Sequence, residues 1–201
     1  MAERNLEVKT LYESALADEA ELDKLTEQLS IGARRSRQIA AAALSMVAKD
    51  DPTRLVPYGA RLVDALNRPE AQTRWECLDA LTLLVGHDSR TCDKAIPGAE
   101  TALFDEESGP VRLAAMRFLC KLGSTTPTRS EKVWPLIDEG IQCYHGDLEF
   151  NDMLVAIVDF SLGKLDAGVK KSLKERMEFD AVNGKGTLKK RAQQIVANVT
   201  D

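Results

Sequence analysis

The sequence has few aromatic residues, few cysteines and no long apolar run. Aromatic residues make up 5% of its 201 residues, and none of its four cysteines forms a Cys-x-x-Cys pair. Nowhere does an apolar run approach the roughly 18 residues that a membrane span needs, and the first ten residues contain no apolar signal core. We therefore expect reduced thiols, no membrane association and a cytoplasmic location.

Sequence motifs for catalysis and metal binding are missing as well. There is no phosphate-binding glycine-rich loop and no His-Glu-x-x-His motif. The two histidines, His87 and His145, lie near Cys92 and Cys143, but neither pair has the spacing of a zinc site. We therefore expect no catalytic residues, no metal and no cofactor.

Charge is unevenly distributed along the chain. The net charge is −5. Nucleic acid is therefore an unlikely partner, because proteins that bind nucleic acid carry a clustered basic face. Residues 1–30 contain eight acidic and three basic residues, whereas residues 163–191 contain nine basic and four acidic residues. The basic segment is either a solvated face or a surface for an anionic partner.

One apolar pattern occurs five times and dominates the rest of the chain. Its central residues lie 37 or 38 positions apart: Leu44, Leu81, Leu119, Ile157 and Ile195. Further apolar residues stand three positions before each and, in the first four copies, three positions after, which places them on one helical face. Glycines follow three of these helices, at the position typical of a helix end: Gly86, Gly123 and Gly163.

A second marker predicts the partner helix of each pair. Pro57, Pro97 and Pro135 lie 40 and 38 residues apart, and each follows an apolar residue. Since proline fits the first turn of a helix, we expect these helices to begin at most one turn before it. Residues 1–30 are predicted to form two amphipathic helices that cap the array, with Asp18 as the N-cap of the second.

These features together resemble the HEAT repeat. The resemblance rests on an arginine, a following apolar helix and an apolar–proline step, as in Arg37 with Val56–Pro57, Arg74 with Ile96–Pro97 and Arg112 with Trp134–Pro135. It implies an all-α, right-handed α-solenoid of stacked antiparallel helix pairs, in which the arginines bond the previous unit. The predicted divisions are a cap at 1–30 and an array at 31–201 within a single domain, with units at 31–67, 68–105, 106–146, 147–183 and 184–201, the last one partial.

The candidate binding site is a row of basic residues. Arg54, Lys94 and Lys132 each stand three positions before a proline, and Lys170 is placed as their equivalent in the fourth unit. Such a row could bind an acidic peptide or a phosphate backbone. Alternatively, these side chains cap the carbonyl groups of a neighbouring helix.

The resemblance also implies that second helices line the concave side of the array. Tyr58, Arg61 and Leu136 would then face a partner, with Trp134 either beside them or packed into the next repeat. The main hypothesis is a non-catalytic protein-binding scaffold whose partner is a protein, possibly acidic. The alternatives are a DNA-binding protein resembling the HEAT-like alkylation repair glycosylases, with Trp75, Trp134 and Tyr58 as the only counterparts of their aromatic residues, and a subunit of a larger assembly.

Overall fold

The computed structural model describes residues 2–200, and within them it contains α-helices, one 3₁₀ helix and no strand. The 3₁₀ helix is Pro52–Tyr58. The α-helices are α1 (Ala2–Ala17), α2 (Glu19–Ile31), α3 (Arg34–Asp50), α4 (Gly59–Ala65), α5 (Ala71–Leu84), α6 (Ser89–Asp93), α7 (Ile96–Leu103), α8 (Gly109–Gly123), α9 (Pro127–Tyr144), α10 (Phe150–Ser161), α11 (Ala167–Asn183) and α12 (Gly186–Asn198).

The chain divides into two compact units, and the division falls inside α8. Unit 1 is Met1–Ala115 and unit 2 is Met116–Asp201. Each unit has its own buried apolar side chains, and each is described separately below.

The repeated apolar pattern forms the core, as predicted. All five central residues, from Leu44 to Ile195, have no exposed surface, and they lie in α3, α5, α8, α10 and α12. The fifth copy departs from the pattern at Asn198, whose Nδ2 donates a hydrogen bond to Ser161 Oγ at 2.8 Å. A polar side chain is tolerated there because it has a hydrogen-bond partner.

In unit 1 the two N-terminal helices pack against α3. Asp18 is the N-cap of α2, because its Oδ1 accepts a hydrogen bond from Ala20 N at 2.8 Å. Leu22, Leu25 and Leu29 form the buried side of α2. A hydrogen bond from the Tyr12 hydroxyl to Asp50 links α1 to the end of α3.

The repeated arginines of unit 1 form ion pairs with the loop that follows their own repeat. Arg37 on α3 pairs with Glu70, which precedes α5, and Arg74 on α5 pairs with Asp105, which precedes α8, at 2.7 Å. The expectation that these arginines bond the previous unit is therefore wrong for Arg37, which pairs with the next predicted unit, and for Arg74, whose partner Asp105 ends its own predicted unit. It is confirmed for Arg112, which donates to the backbone carbonyl of Asp105 at 2.9 Å, so this loop receives two arginines.

Both carboxylates of these pairs are held in the charged form. The hydrogen bond from Arg37 lowers the pKa of Glu70 and outweighs burial, which acts in the opposite direction. Burial alone would raise the pKa of Asp105, but the hydrogen bond and charge of Arg74, together with the backbone N–H groups of Glu107 and Ser108, outweigh it, so this pKa is also lowered. The result is a set of charge-assisted links between successive first helices of unit 1.

The prolines mark three different positions. Pro97 lies in the first turn of α7, as predicted, but Pro57 lies in the 3₁₀ helix and α4 begins only at Gly59. Pro135 lies well inside α9, so the prediction fails there. The reason is an earlier start signal, since Thr126 accepts a hydrogen bond from Arg129 N at 3.2 Å and Pro127 occupies the first turn.

The repeats consequently differ in their number of helical segments. Residues 34–65 form α3, the 3₁₀ helix and α4, and residues 71–103 form α5, α6 and α7. Residues 109–144 and 150–183 form only two helices each. The chain therefore combines three-segment and two-segment repeats.

Packing requires a glycine at Gly123 and Gly163 but not at Gly86, and a left-handed backbone requires it at none of the three. Only Gly146 and Gly186 have a positive φ among the described residues, so Gly86, Gly123 and Gly163 do not form left-handed caps. A Cβ at Gly163 would lie 2.6 Å from Ser124 Cα and 2.7 Å from Ser124 O. In unit 2 the backbone after α10 thus passes directly against the loop after α8, where Lys164 N also donates to Ser124 O at 2.8 Å.

The remaining predictions concern thiols, metals and membranes. All four cysteines are thiols and not disulfides; Cys77, Cys92 and Cys120 are buried, and burial raises the pKa of Cys77 and Cys120. Within residues 2–200 no cluster of His, Cys, Asp and Glu side chains suits a metal ion. No helix in the same range combines the length and the apolar character that crossing a membrane requires.

Candidate partner-binding surface

The candidate surface consists of the second helices of the repeats. In unit 1 these are α2, the 3₁₀ helix with α4, and α6 with α7; in unit 2 they are α9 and α11. We call their exposed side the second-helix surface, and it is described for each unit in turn.

Arg54, the first member of the basic row, is engaged within unit 1. Its Nη2 donates to the carbonyl of Ala15 at 3.0 Å, and its Nη1 donates to the carbonyl of Leu16. Both carbonyls belong to the last turn of α1, which has no basic residue of its own there. Arg54 therefore caps the end of a helix, which is the structural alternative raised by the sequence.

Arg61 and Tyr58 form a second intramolecular cluster in unit 1. Arg61 Nη1 donates to Asp23 Oδ1 at 2.8 Å and also to Thr26 Oγ1, which ties α4 to α2. The Arg61 guanidinium lies 5.5 Å from the centre of the Tyr58 ring. Burial raises the pKa of Tyr58, and the carboxylates of Asp23 and Glu19 add to this effect. Tyr58 and Arg61 are both half-buried, and the Arg61 guanidinium already has hydrogen-bond partners within unit 1.

The three lysines of the row have different surroundings. Lys94 and Lys132 are exposed, whereas Lys170 is half-buried. The buried row of α9 (Val133, Ile137 and Ile141) corresponds to that of α11 (Val169, Leu173 and Met177) with an offset of 36 residues. With this offset Lys170 occupies the position of Trp134, and Gly168 occupies that of Lys132, so the 38-residue spacing misplaces Lys170 by two positions.

The second-helix surface of unit 2 contains an apolar feature that the sequence analysis missed. Phe179 and Val182 on α11 are 72% and 67% exposed, while Trp134 and Leu136 on α9 are half-buried. Phe179 and Val182 are three residues apart, so they are neighbours on one helical face. The signal was present in the sequence, because neither residue belongs to the buried row of α11.

An arginine–aspartate pair joins the two second helices of unit 2. Arg176 on α11 donates to both carboxylate oxygens of Asp138 on α9, at 2.6 and 3.0 Å. The pair has the same 38-residue separation as Arg61 and Asp23 in unit 1. In each unit an arginine thus fixes one second helix to the preceding one, next to the residues that are candidates for binding.

Comparisons with solved structures show which fold these helices form. An engineered protein matches with a TM-score of 0.76 and 17% identity, over 96% of this chain and 90% of its own. Computationally designed armadillo repeat proteins for modular peptide recognition match with a TM-score of 0.75 and 16% identity, over 95% and 91%. A designed armadillo repeat protein in complex with the peptide (KR)4 matches with a TM-score of 0.74 and 16% identity, over 96% and 91%.

The fold class is therefore the all-α solenoid of helical repeats, as predicted. The likeness, at 15–17% identity, is one of fold. No protein-family model and no curated protein matches the chain. A helical-repeat fold is thus established, while the distinction between the HEAT and armadillo types is not made by these comparisons.

Proposed function

We propose that this protein is a non-catalytic binding scaffold that holds a segment of a protein partner on its second-helix surface. The exposed pair Phe179 and Val182 carries this proposal, because a large exposed aromatic side chain on a helix is typical of an interaction site. Within the helical-repeat class we propose the HEAT type for the two-helix repeats at residues 109–144 and 150–183, whereas residues 34–65 and 71–103 form three segments each.

The charge around Phe179 indicates the chemistry of the partner. Residues 163–191 have a net charge of +5, with Lys171, Lys185 and Lys190 exposed, but most of this charge lies outside α11, whose residues 167–183 have four basic and three acidic side chains. An acidic segment with apolar side chains would complement this surface. Lys132, Leu136 and Lys170 in unit 2 and Lys94 in unit 1 remain candidate contacts, whereas Arg54 and Arg61 are left out because intramolecular bonds occupy their guanidinium groups.

The duplex-DNA alternative is supported only by the exposed lysines, among them Lys94 and Lys132 of the basic row. It needs a row of free basic side chains with aromatic residues between them, and Arg54 at the start of the row is bound to carbonyl groups of α1. We therefore retain the protein-binding hypothesis alone.

Capture from native extract with Phe179→Ser/Val182→Ser tests the proposal. We expect the tagged wild-type chain to retain a partner that this variant loses by about tenfold or more, because the apolar contact at the centre of an interface contributes most of its free energy. The matched control is Leu162→Ser, which removes an equally exposed apolar residue (67%) that follows α10 and lies outside the second helices.

The proposal fails if Leu162→Ser and Phe179→Ser/Val182→Ser lose the partner equally, or if neither variant loses it. Circular dichroism of each variant establishes that the helices are intact. Replacing Lys171 and Lys174 with glutamate should weaken the binding of the same partner, since both lysines lie on α11 with Phe179 and Val182.

A further inference from the structure

The end of α11 in unit 2 carries an asparagine followed by a glycine, Asn183 and Gly184. Asparagine in this sequence is prone to spontaneous deamidation, in which the backbone nitrogen of the next residue attacks the side-chain amide. Glycine favours the attack because it has no side chain to hinder the close approach of its backbone. The other asparagines precede leucine, arginine, aspartate and valine: Asn5, Asn67, Asn151 and Asn198.

The structure places both reacting groups in the last turn of α11. Asn183 is exposed and is the final residue of this helix. Its Nδ2 donates a hydrogen bond to Phe179 O at 3.1 Å, and Gly184 N donates to Asp180 O at 2.9 Å. Opening of this one turn breaks both bonds and frees both groups. Helix ends open locally at little cost in free energy.

Two side chains of α12 hold the same turn closed. Lys189 Nζ donates to Val182 O at 2.8 Å, and Gln193 Nε2 donates to Ala181 O at 3.2 Å. The last carbonyl groups of a helix have no partner within the helix, so these two bonds satisfy two of them. The contacts with α12 therefore control how often the turn opens.

We propose that Asn183 is a site of spontaneous deamidation, and that opening of the last turn of α11 sets its rate. Gly184 N loses its proton and forms a bond to Asn183 Cγ, and the side-chain nitrogen takes up a proton and leaves as ammonia. Water then breaks one C–N bond of the resulting cyclic imide, which leaves aspartate or isoaspartate. Water is the only co-reactant, and the chemistry does not depend on the proposed function.

The product alters the surface that we assign to partner binding. A carboxylate at position 183 cannot donate to Phe179 O, and its negative charge lies at the C-terminus of a helix, where it is unfavourable. We therefore expect the turn that bears Phe179 and Val182 to open more readily. The resulting loss of partner capture is the one consequence that rests on the proposed function.

Peptide mapping by mass spectrometry tests the modification on the purified full chain after incubation at mildly alkaline pH. We expect aspartate and isoaspartate to accumulate several-fold faster at Asn183 than at Asn67 and Asn151. These two are internal controls, because both are exposed in the same chain. Equal rates at the three asparagines, or a slower rate at Asn183, overturn the proposal.

Lys189→Ala tests whether the last turn of α11 sets the rate. It removes the bond to Val182 O, so Asn183 should deamidate several-fold faster, whereas Lys190→Ala, at the adjacent exposed position, should leave the rate unchanged. Circular dichroism establishes that the helices of both variants are intact. An unchanged rate in Lys189→Ala, or an equal acceleration at Asn67, contradicts control by this turn.

Capture from native extract separates the modification from the proposed function. Asn183→Asp, which imitates one product, should retain several-fold less partner than the wild type. Deamidation of Asn183 together with unchanged capture by Phe179→Ser/Val182→Ser supports the modification site and contradicts the proposed function. Partner loss in Phe179→Ser/Val182→Ser without deamidation of Asn183 contradicts the modification site alone.

Discussion

At the scale of single residues, the ion pair between Arg37 and Glu70 is the most consequential contact of unit 1. The Glu70 side chain is only 3% exposed, and Arg37 Nη1 also donates to the carbonyl of Gly32 at 2.8 Å. A buried carboxylate that is bonded to an arginine is stabilising only while it is charged. The pair therefore links the stability of unit 1 to pH.

Replacing Glu70 with glutamine should destabilise the protein by about 1.5–3 kcal/mol at neutral pH. Because the pKa of Glu70 is lowered in the folded state, its contribution is fully present above the unfolded pKa of about 4.3 and is lost as the pH falls through the folded pKa. The difference between wild type and Glu70→Gln in urea unfolding should thus be constant near neutrality and shrink below about pH 4.

Glu139→Gln is the control for this experiment, since Glu139 is exposed on α9. It should change the free energy of unfolding by less than about 0.5 kcal/mol at every pH. A Glu70→Gln variant whose deficit does not change down to acidic pH would show that the carboxylate charge is not what the pair contributes.

At the scale of helices, the proline inside α9 contradicts the local preference of its own sequence. Pro135 lacks the N–H that would bond four residues back, and it is exposed, so no buried contact compensates. Pro135→Ala should therefore stabilise the protein by about 1–3 kcal/mol in urea unfolding. Pro97→Ala is the matched comparison, because Pro97 stands in the first turn of α7, where a backbone N–H has no helical hydrogen bond to lose.

We expect Pro97→Ala to be neutral or slightly destabilising, as alanine has more freedom than proline in the unfolded chain. If both substitutions have the same effect, the position of the proline within the helix does not determine its cost. If Pro135→Ala destabilises, α9 needs a bend that the proline provides.

The first helices could be predicted from the sequence, but the second helices could be predicted only in part. The buried face that recurs from Leu44 to Ile195 can be recognised in the sequence, because the buried positions of each first helix are occupied by apolar residues at regular spacing. The proline signal is ambiguous, because Thr126 and Pro127 start α9 before Pro135 is reached. The sequence spacing of 38 residues placed Lys170 at the position of Lys132, but the buried rows of α9 and α11 are offset by 36 residues. The spacing of basic residues alone does not show which positions are buried.

At the scale of the whole molecule, the sequence predicts the repeat but not the surfaces that it leaves open. Phe179 and Leu173 are both apolar residues of α11, yet one is 72% exposed and the other has no exposed surface. Which of them is covered depends on how neighbouring helices are placed. The contacts of Arg37 with Glu70 and of Arg54 with Ala15 likewise join residues 33 and 39 positions apart, which no local pattern specifies.

Contacts in repeat proteins are made mainly between sequence neighbours, so a defect in one unit should remain largely local. Gly163→Ala places a Cβ against the backbone of Ser124, and we expect it to cost about 1–3 kcal/mol within unit 2. Gly86→Ala is its control: Gly86 holds the equivalent place after α5, and a Cβ there meets nothing within 4 Å.

Trp75 in unit 1 and Trp134 in unit 2 allow each unit to be followed separately by fluorescence, using Trp134→Phe and Trp75→Phe backgrounds. Gly163→Ala should lower the urea midpoint reported by Trp134 clearly more than the midpoint reported by Trp75, and Gly86→Ala should lower neither. Equal shifts of both midpoints would mean that the chain unfolds as one cooperative body in spite of its local contacts.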